Sequence, residues 1–279
     1  MKIDENTQVM LRLHRKDNNR GLQIYNPYFQ ETGLNALYLL THNPDPKPLL
    51  EGLRNLNFAG AICAGFETDT SFAKLLDELS PVSQAIGKVG IVINENGKLR
   101  GHYQGGQGLY QSIVSKYGKL AGKKIVMLGA GGVAEGLLLE MKNQKDVPEI
   151  TIVNRTLAKA ENLAKKYNLK QALPFSELES TSGDVFINMT GIGSPWNSGQ
   201  DYEFKPEFIK KFSFIADATF VPIEPQLIQV AMEVGVDYAP GHRMFLYQAG
   251  VCLKEILGHE IVLPTYEKLM LKDFETNWS

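Results

Sequence analysis

A glycine-rich turn between an apolar strand and a helix is the feature that most constrains the fold of this chain. Residues 125–128 read IVML, an apolar run typical of a buried parallel strand, and GAGG follows at 129–132. Unpaired N–H groups and the positive dipole end make such a helix N-terminus a binding site for the pyrophosphate of a dinucleotide. The predicted contacts are Gly129, Ala130, Gly131, Gly132, Val133 and Ala134, the last a small residue that lets helix and sheet pack closely.

The next apolar run, at 150–153, bears on which dinucleotide binds. An NAD enzyme usually carries an acidic residue after this strand to hold the ribose 2′-hydroxyl, whereas this chain has Asn154, Arg155 and Thr156. A guanidinium fork suits a 2′-phosphate, so we predict NADP as the cofactor, with Lys159 as a further contact. The alternative is an exposed arginine that binds nothing.

Composition and charge favour a soluble enzyme of two domains. The chain has 279 residues, 43% of them hydrophobic, and a formal net charge of −2. The balanced charge argues against nucleic acid as a partner, and no apolar run reaches membrane-spanning length. The polar N-terminus is unlike a signal peptide, and Cys63 and Cys252 stand in apolar surroundings typical of reduced thiols. We therefore expect a cytoplasmic protein without a metal site.

Residues 1–103 alternate strand-like and helix-like patterns, which predicts a small α/β domain. Strands are expected at 8–13, 36–41, 59–64 and 89–93, with helices at 22–32, 46–55 and 71–79. Asn96 and Gly97 indicate a hairpin that leads into a strand at 98–103.

Residues 104–243 repeat strand and helix in the order of a doubly wound Rossmann domain. After the two strands already named, apolar runs at 185–188, 212–216 and 236–238 continue the predicted parallel sheet. Residues 244–279 are helical in pattern and broken at Pro264, and they have no partner of their own. We expect these C-terminal helices to pack back on the first domain.

The whole chain resembles the shikimate dehydrogenase family, both in its nucleotide loop and in the order of its other motifs. The matching segments are IYNPYFQETGLNALY at 24–38, LLDELSPVSQAIGKVGIV at 75–92, NGKLRGHYQGGQG at 96–108, INMTGIGSP at 187–195, ADATFVP at 216–222 and GHRMFLYQAG at 241–250. The resemblance implies an N-terminal substrate domain and an NADP-binding Rossmann domain. It also implies cofactor contacts at Asn188, Thr190, Gly193, Thr219 and Gly241, and a substrate contact at Gln248.

The departures from the family pattern fall on the residues that carry its chemistry. The catalytic lysine aligns with Asp69, or with Thr68 after a one-residue insertion, and its partner aspartate aligns with Gly105. Two pocket asparagines align with Tyr103 and Gly90. At the carboxylate-binding end, a Ser-x-Ser pair aligns with Asn19 and Gly21, and a tyrosine near the cofactor aligns with Phe220.

Four residues are candidates to replace the lost catalytic pair, and each also has a purely structural interpretation. Tyr103 can relay a proton as a phenol or merely fill space, and Lys88 can enter the site or face outward. Lys74 is more simply a solvated surface lysine. Asp69 can bind a cationic substrate group or cap the helix that starts near Ser71.

Three functional hypotheses follow. The first is an NADP-dependent oxidoreductase acting on a small hydroxy or keto carboxylic acid other than shikimate. The second is a catalytically silent protein that binds or senses NADPH, and the third is a shikimate dehydrogenase with a rearranged active site. In each case the partner is a small molecule, and the protein is a monomer or a homodimer.

Overall fold

The computed structural model describes residues 3–15, 21–66, 69–195 and 202–277. The chain forms two compact units. The first unit comprises the residues up to Gln104 together with Gln248–Asn277, and the second comprises Gly105–Tyr247. The sequence predicts domain boundaries at 1–103, 104–243 and 244–279. This division into domains stays a prediction.

The first unit is built on a six-stranded mixed sheet with the order β2-β1-β3-β5-β6-β4. Strands β1, β2 and β3 run parallel, whereas β5 pairs with β3 and β6 in antiparallel fashion. The strands are β1 (Gln8–His14), β2 (Ala36–His42), β3 (Gly60–Ala64), β4 (Glu78–Leu79), β5 (Ile91–Glu95) and β6 (Lys98–His102). The helices before β6 are α1 (Leu22–Thr32), α2 (Pro46–Asn55), α3 (Thr70–Ala73) and α4 (Pro81–Ile86).

The helix predicted at 71–79 is wrong. In its place α3 ends at Ala73, and the chain reaches the sheet edge as the short strand β4. The carboxylate of Asp77 accepts a hydrogen bond of 2.7 Å from the backbone N–H of Leu99 and pairs with Arg54 at 2.9 Å. These bonds stabilise an extended path along β6, which a continued helix would forgo.

The C-terminal segment returns to the first unit, as predicted. It forms α10 (Gly241–Leu257) and α11 (Leu263–Asn277), and α11 packs against α1. The hydroxyl of Tyr28 accepts a hydrogen bond of 2.8 Å from the backbone N–H of Val262. The predicted break at Pro264 falls earlier in the chain. Helix α10 ends before Gly258, which has a left-handed conformation with φ +64°. Pro264 lies in the first turn of α11. Proline is tolerated there because a first-turn N–H has no helical partner.

The second unit is the predicted doubly wound sheet. Its six strands are all parallel in the order β12-β11-β10-β7-β8-β9, and the order reverses between β7 and β10. The strands are β7 (Lys124–Leu128), β8 (Glu149–Asn154), β9 (Gln171–Pro174), β10 (Val185–Asn188), β11 (Phe214–Asp217) and β12 (Asp237–Ala239). The helices are α5 (Gly105–Tyr117), α6 (Gly132–Asn143), α7 (Leu157–Tyr167), α8 (Pro206–Ile209) and α9 (Gln226–Val234), with a 3-10 helix at Phe175–Ser180.

Helices α5 and α6 touch backbone to backbone at a pair of glycines. A Cβ atom built on Gly106 would lie 1.9 Å from the carbonyl carbon of Gly136, so no other residue fits without moving a helix. This contact fixes α6, whose N-terminus follows the glycine-rich turn, against the helix that begins the unit.

Gly106→Ala is expected to lower the free energy of unfolding by about 1–3 kcal/mol, since the added methyl group meets backbone that can yield only if the helices separate. The matched control is Gly52→Ala in α2, where a Cβ atom would meet nothing within 4 Å. That change is expected to raise the free energy of unfolding by about 0.5–1 kcal/mol through helix propensity. Urea denaturation measures both, and a neutral Gly106→Ala would contradict the packing described here.

Candidate functional site

The turn at residues 129–132 has the geometry that a dinucleotide phosphate requires. Gly129 has φ +111°, and a Cβ atom on it would lie 3.0 Å from the carbonyl oxygen of Met189. Gly131 is the N-cap of α6, and a Cβ atom there would meet nothing within 4 Å. The turn is therefore closed toward the sheet and open above the helix N-terminus, which leaves backbone N–H groups accessible to an anion. Ala134 is fully buried one turn below.

Asn154 joins the glycine turn to the loop that follows β8. Its Oδ1 accepts a hydrogen bond of 3.2 Å from the backbone N–H of Ala130, and its Nδ2 donates one of 2.9 Å to the carbonyl of Thr156. The neighbouring side chains of Arg155 and Lys159 are exposed, and the first turn of α7 contains no acidic residue. Two cations beside a helix N-terminus form a suitable environment for a phosphate group.

A buried network ties the ends of β10 and β11 together beside the same turn. Asn188 is fully buried; its Nδ2 donates to Asp217 Oδ1 at 3.0 Å, and its Oδ1 accepts from Thr190 Oγ1 at 2.6 Å. The backbone N–H of Thr219 donates to Asp217 Oδ1 at 2.8 Å, while its hydroxyl donates to the Ile192 carbonyl at 3.3 Å. The predicted contacts Asn188, Thr190 and Thr219 thus shape the loops around the site.

Asp217 was missed by the sequence reasoning. Its burial raises the pKa of the carboxyl to about 7, against the opposing effect of hydrogen bonds from Thr219 and Asn188. Oδ2 has no hydrogen-bond partner within the described chain. The available signal was an acid that directly follows the apolar run FIA at 214–216, since carboxylates seldom end a fully buried strand without a role in a polar network.

Two further predicted glycines, Gly241 and Gly193, meet different constraints of the backbone. A Cβ atom on Gly241 would lie 2.0 Å from the carbonyl oxygen of Thr219, so the first residue of α10 sits directly on the β11 loop. Gly193 has φ +84°, a left-handed conformation that other residues rarely adopt. Both glycines have a structural reason, and their role as cofactor contacts stays a prediction.

In the first unit, Gln104 covers Gly90, the position predicted to align with a pocket asparagine of the family. A Cβ atom on Gly90 would lie 2.1 Å from Gln104 Oε1, so the amide of Gln104 occupies the space of any side chain at position 90. Gln104 Oε1 is shielded from solvent and has no hydrogen-bond partner in the described residues. Because His102 pairs with Ile91 in the β5–β6 ladder, Tyr103 falls opposite Gly90. Gln104 was not among the predicted site residues.

The catalytic candidates separate into two groups. Lys88 and Tyr103 are half-buried at the same end of the β5–β6 pair, where Lys88 precedes β5 and Tyr103 follows β6. Asp69 and Lys74 lie at opposite ends of α3, and Lys74 is exposed. The substrate candidate Asn19 lies outside the described residues.

Asp69 serves as the helix cap, which was the structural alternative. Its Oδ1 accepts hydrogen bonds from the backbone N–H of Ser71 at 2.9 Å and from the Ser71 hydroxyl at 2.5 Å. These bonds are the main reason that the pKa of Asp69 is lowered, with a smaller contribution from its ion pair with Arg15. The carboxylate is thus already engaged within the protein.

These features define a dinucleotide-binding domain of the Rossmann type joined to a smaller α/β unit. Residues 111–219 match the family model described as shikimate / quinate 5-dehydrogenase. The chain is 30% identical to a shikimate dehydrogenase (NADP(+)) of Methanocaldococcus jannaschii over 85% of this chain and 86% of that protein. It is 28% identical to a shikimate dehydrogenase-like protein of Haemophilus influenzae, covering 88% and 89% of the two chains.

A solved shikimate dehydrogenase in complex with NADP⁺ has a TM-score of 0.83 to this chain at 26% identity, with 98% and 97% of the two chains covered. The chain belongs to the shikimate dehydrogenase family, a family of oxidoreductases. Within the described ranges, no helix is both long and apolar enough to cross a membrane, and no cluster of His, Cys, Asp and Glu side chains is suited to hold a metal ion.

Asp217→Asn is expected to change how stability depends on pH. The folded-state pKa of about 7 lies above the ordinary value of 3.8, so the native protein holds this proton more tightly than the unfolded chain. Stability therefore falls as pH rises through the interval between those values, and the loss is complete above pH 7. The free energy of unfolding of the wild type should fall by about 2–3 kcal/mol more than that of the variant when the pH is raised from about 5 to about 8. Urea denaturation at the two pH values measures this difference. An equal change in the free energy of unfolding for wild type and variant would contradict the raised pKa of Asp217.

Proposed function

We propose that this protein is an NADP-dependent oxidoreductase that acts on a small hydroxy or keto carboxylic acid other than shikimate. The observation that carries the proposal is the glycine turn, whose left-handed Gly129 and open Gly131 leave the α6 N-terminus ready for a pyrophosphate. Family membership and the relatives named for NADP(+) support it. When bound, the dinucleotide supplies or accepts the hydride.

The chain's own residues have separate tasks in holding this cofactor. The turn residues Gly129, Ala130, Gly131, Gly132 and Val133 would present backbone N–H groups to the pyrophosphate. Arg155, Thr156 and Lys159 would hold the 2′-phosphate. The loops fixed by Asn188 and Thr219 would bound the nicotinamide end, together with Thr190, Gly193 and Gly241.

A substrate other than shikimate is supported by the rebuilt first unit. The aligned positions of the family's proton-transfer pair carry Asp69, which caps α3 and pairs with Arg15, and Gly105, which has no side chain. The amide of Gln104 fills the space above Gly90. A chain that keeps its nucleotide turn while its substrate side chains change fits a dehydrogenase with altered specificity.

Tyr103 is the residue that we propose moves the substrate proton. It lies opposite Gly90 at the end of the β5–β6 ladder, and a phenol can both donate and accept a proton. Lys88, at the same end of this ladder, is the second candidate.

Tyr103→Phe is expected to lower kcat on the order of a hundredfold or more for NADPH-dependent reduction of the best keto acid in a panel, with unchanged NADPH affinity. The measurement is steady-state absorbance of NADPH, with Lys88→Met and Lys74→Met assayed beside it. Full activity in Tyr103→Phe together with loss in Lys88→Met would move the role to Lys88. Robust turnover of shikimate that depends on Lys74 would instead show a shikimate dehydrogenase with a rearranged site.

A catalytically silent NADPH-binding or sensing protein is the alternative that a specific observation favours. Asp69 is engaged as a cap, and Gln104 occupies space that a substrate-binding side chain would otherwise use. Tight NADPH binding without turnover of any acid in the panel would support this alternative.

Arg155→Ala should weaken NADPH binding by about tenfold or more and leave NADH binding nearly unchanged, because the guanidinium would contact only the 2′-phosphate. Lys170→Ala is the matched control, since Lys170 is exposed and pairs with Glu149 at the first residue of β8, the opposite end of that strand from Arg155. Fluorescence titration measures both cofactors. Equal weakening for NADPH and NADH would exclude Arg155 as the 2′-phosphate contact.

A further inference from the structure

Among the described residues of the first unit, Arg12 is an arginine without an acidic partner. Each of the other arginines described there has an acidic partner: Arg15 pairs with Asp69, Arg54 with Asp77, and Arg100 with Glu95 and Glu255. Arg12 forms no ion pair with any described residue, although it is half-buried and its Nε is shielded from solvent without a hydrogen-bond partner. A half-buried guanidinium is costly unless an anion pairs with it.

Beside Arg12, the hydroxyl of Tyr38 is a second hydrogen-bond donor available to a ligand. Arg12 pairs with Leu40 and Met10 pairs with Tyr38 in the parallel β1–β2 ladder, so Arg12 and Tyr38 are diagonal neighbours on one face of the sheet. Tyr38 is fully buried, and its hydroxyl lacks a hydrogen bond of normal geometry in the described chain. Burial raises the pKa of Tyr38 to about 12, against the charge of Arg12 and a side-chain contact in which Arg12 donates toward the phenol oxygen, so the phenol stays neutral and keeps its own proton to donate.

Gly21 has no side chain, and the Tyr38 hydroxyl lies beside it. A Cβ atom on Gly21 would lie 3.1 Å from Tyr38 Oη, and Gly21 has φ +92°, which a side chain would strain. The residue directly precedes α1, an eleven-residue helix that has no side-chain cap at its N-terminus. The Tyr38 hydroxyl therefore lies at the entrance of α1, where a serine hydroxyl would otherwise stand.

Arg12 also lies near the helix that carries Gln248. Burial raises the pKa of Cys252 to about 12, and the nearby Arg12 charge is the largest effect that opposes it. Gln248 precedes Cys252 by one helical turn in α10, so the two side chains lie on the same face of that helix. The charge of Arg12 thus acts on the helix that carries Gln248, one turn from that residue.

We propose that Arg12 and Tyr38 bind the carboxylate of the substrate. The planar guanidinium donates N–H bonds to the carboxylate oxygens, and the Tyr38 hydroxyl donates one more. A single positive charge beside a neutral phenol matches a monoanion, whereas a phosphate dianion would leave a net charge in a half-buried place. This inference rests on the proposed function only in assigning the bound acid as substrate, because acid binding is measurable without turnover.

The test is calorimetric binding of shikimate, quinate and benzoate, each compared with its methyl ester, to the full chain without NADPH. We expect at least one acid to bind about tenfold or more tightly than its ester. Arg12→Gln should reduce that preference to within about twofold and leave NADPH affinity unchanged, and Tyr38→Phe should reduce it partly. Arg54→Gln is the matched control, because Arg54 has its own partner in Asp77 and should leave the preference intact.

The inference is overturned if the wild type prefers no acid over its ester or if Arg12→Gln keeps the preference. If Arg12→Gln fails to fold, Arg12→Lys keeps the charge without the fork and should retain a reduced preference; an unchanged one would also count against the inference. An Arg12-dependent acid preference without NADPH oxidation would uphold this inference and defeat the proposed function. NADPH-dependent reduction of a keto acid whose KM and kcat are unaffected in Arg12→Gln would do the reverse.

Discussion

The hydrogen bond between Asn188 and Asp217 is the interaction on which the nucleotide site most depends. It joins the ends of two neighbouring parallel strands, and the bonds from Thr190 and Thr219 extend it into both following loops. The Met189 carbonyl in the first of these loops closes one side of the turn at Gly129. A few buried polar groups thereby set where backbone amides face a phosphate, since none of them can move without losing a partner.

Much of the second unit was predictable because its periodicity is local. Apolar runs of parallel-strand type, a glycine turn and helical spacing fix a doubly wound sheet with few alternatives. The failures came from long-range contacts. The predicted helix at 71–79 ends early because Asp77 bonds to β6. Neither the position of the Gln104 amide over Gly90 nor the diagonal placement of Arg12 and Tyr38 follows from residues near in sequence. Asp217 was signalled by its place after the apolar run at 214–216, but its partners Asn188 and Thr219 lie in other segments.

The two units accommodate close contacts at their glycines in different ways. In the second, each close approach is kept by a glycine, as at Gly106 and Gly241, where any side chain would displace backbone. In the first, neighbouring side chains fill the space beside glycines: the Gln104 amide lies over Gly90, and the Tyr38 hydroxyl lies beside Gly21. We infer retained cofactor chemistry with altered substrate recognition.

The most direct test of that account is to follow the hydride itself. The protein would be incubated with NADPH deuterated at the transferable position of the nicotinamide and with a pool of small keto acids, and the products would be analysed by mass spectrometry. The account predicts a hydroxy acid, other than shikimate, that carries the deuterium at the reduced carbon. NADPH that binds with full occupancy but yields no deuterated product from any acid would contradict it, and the protein would then bind the cofactor without using it.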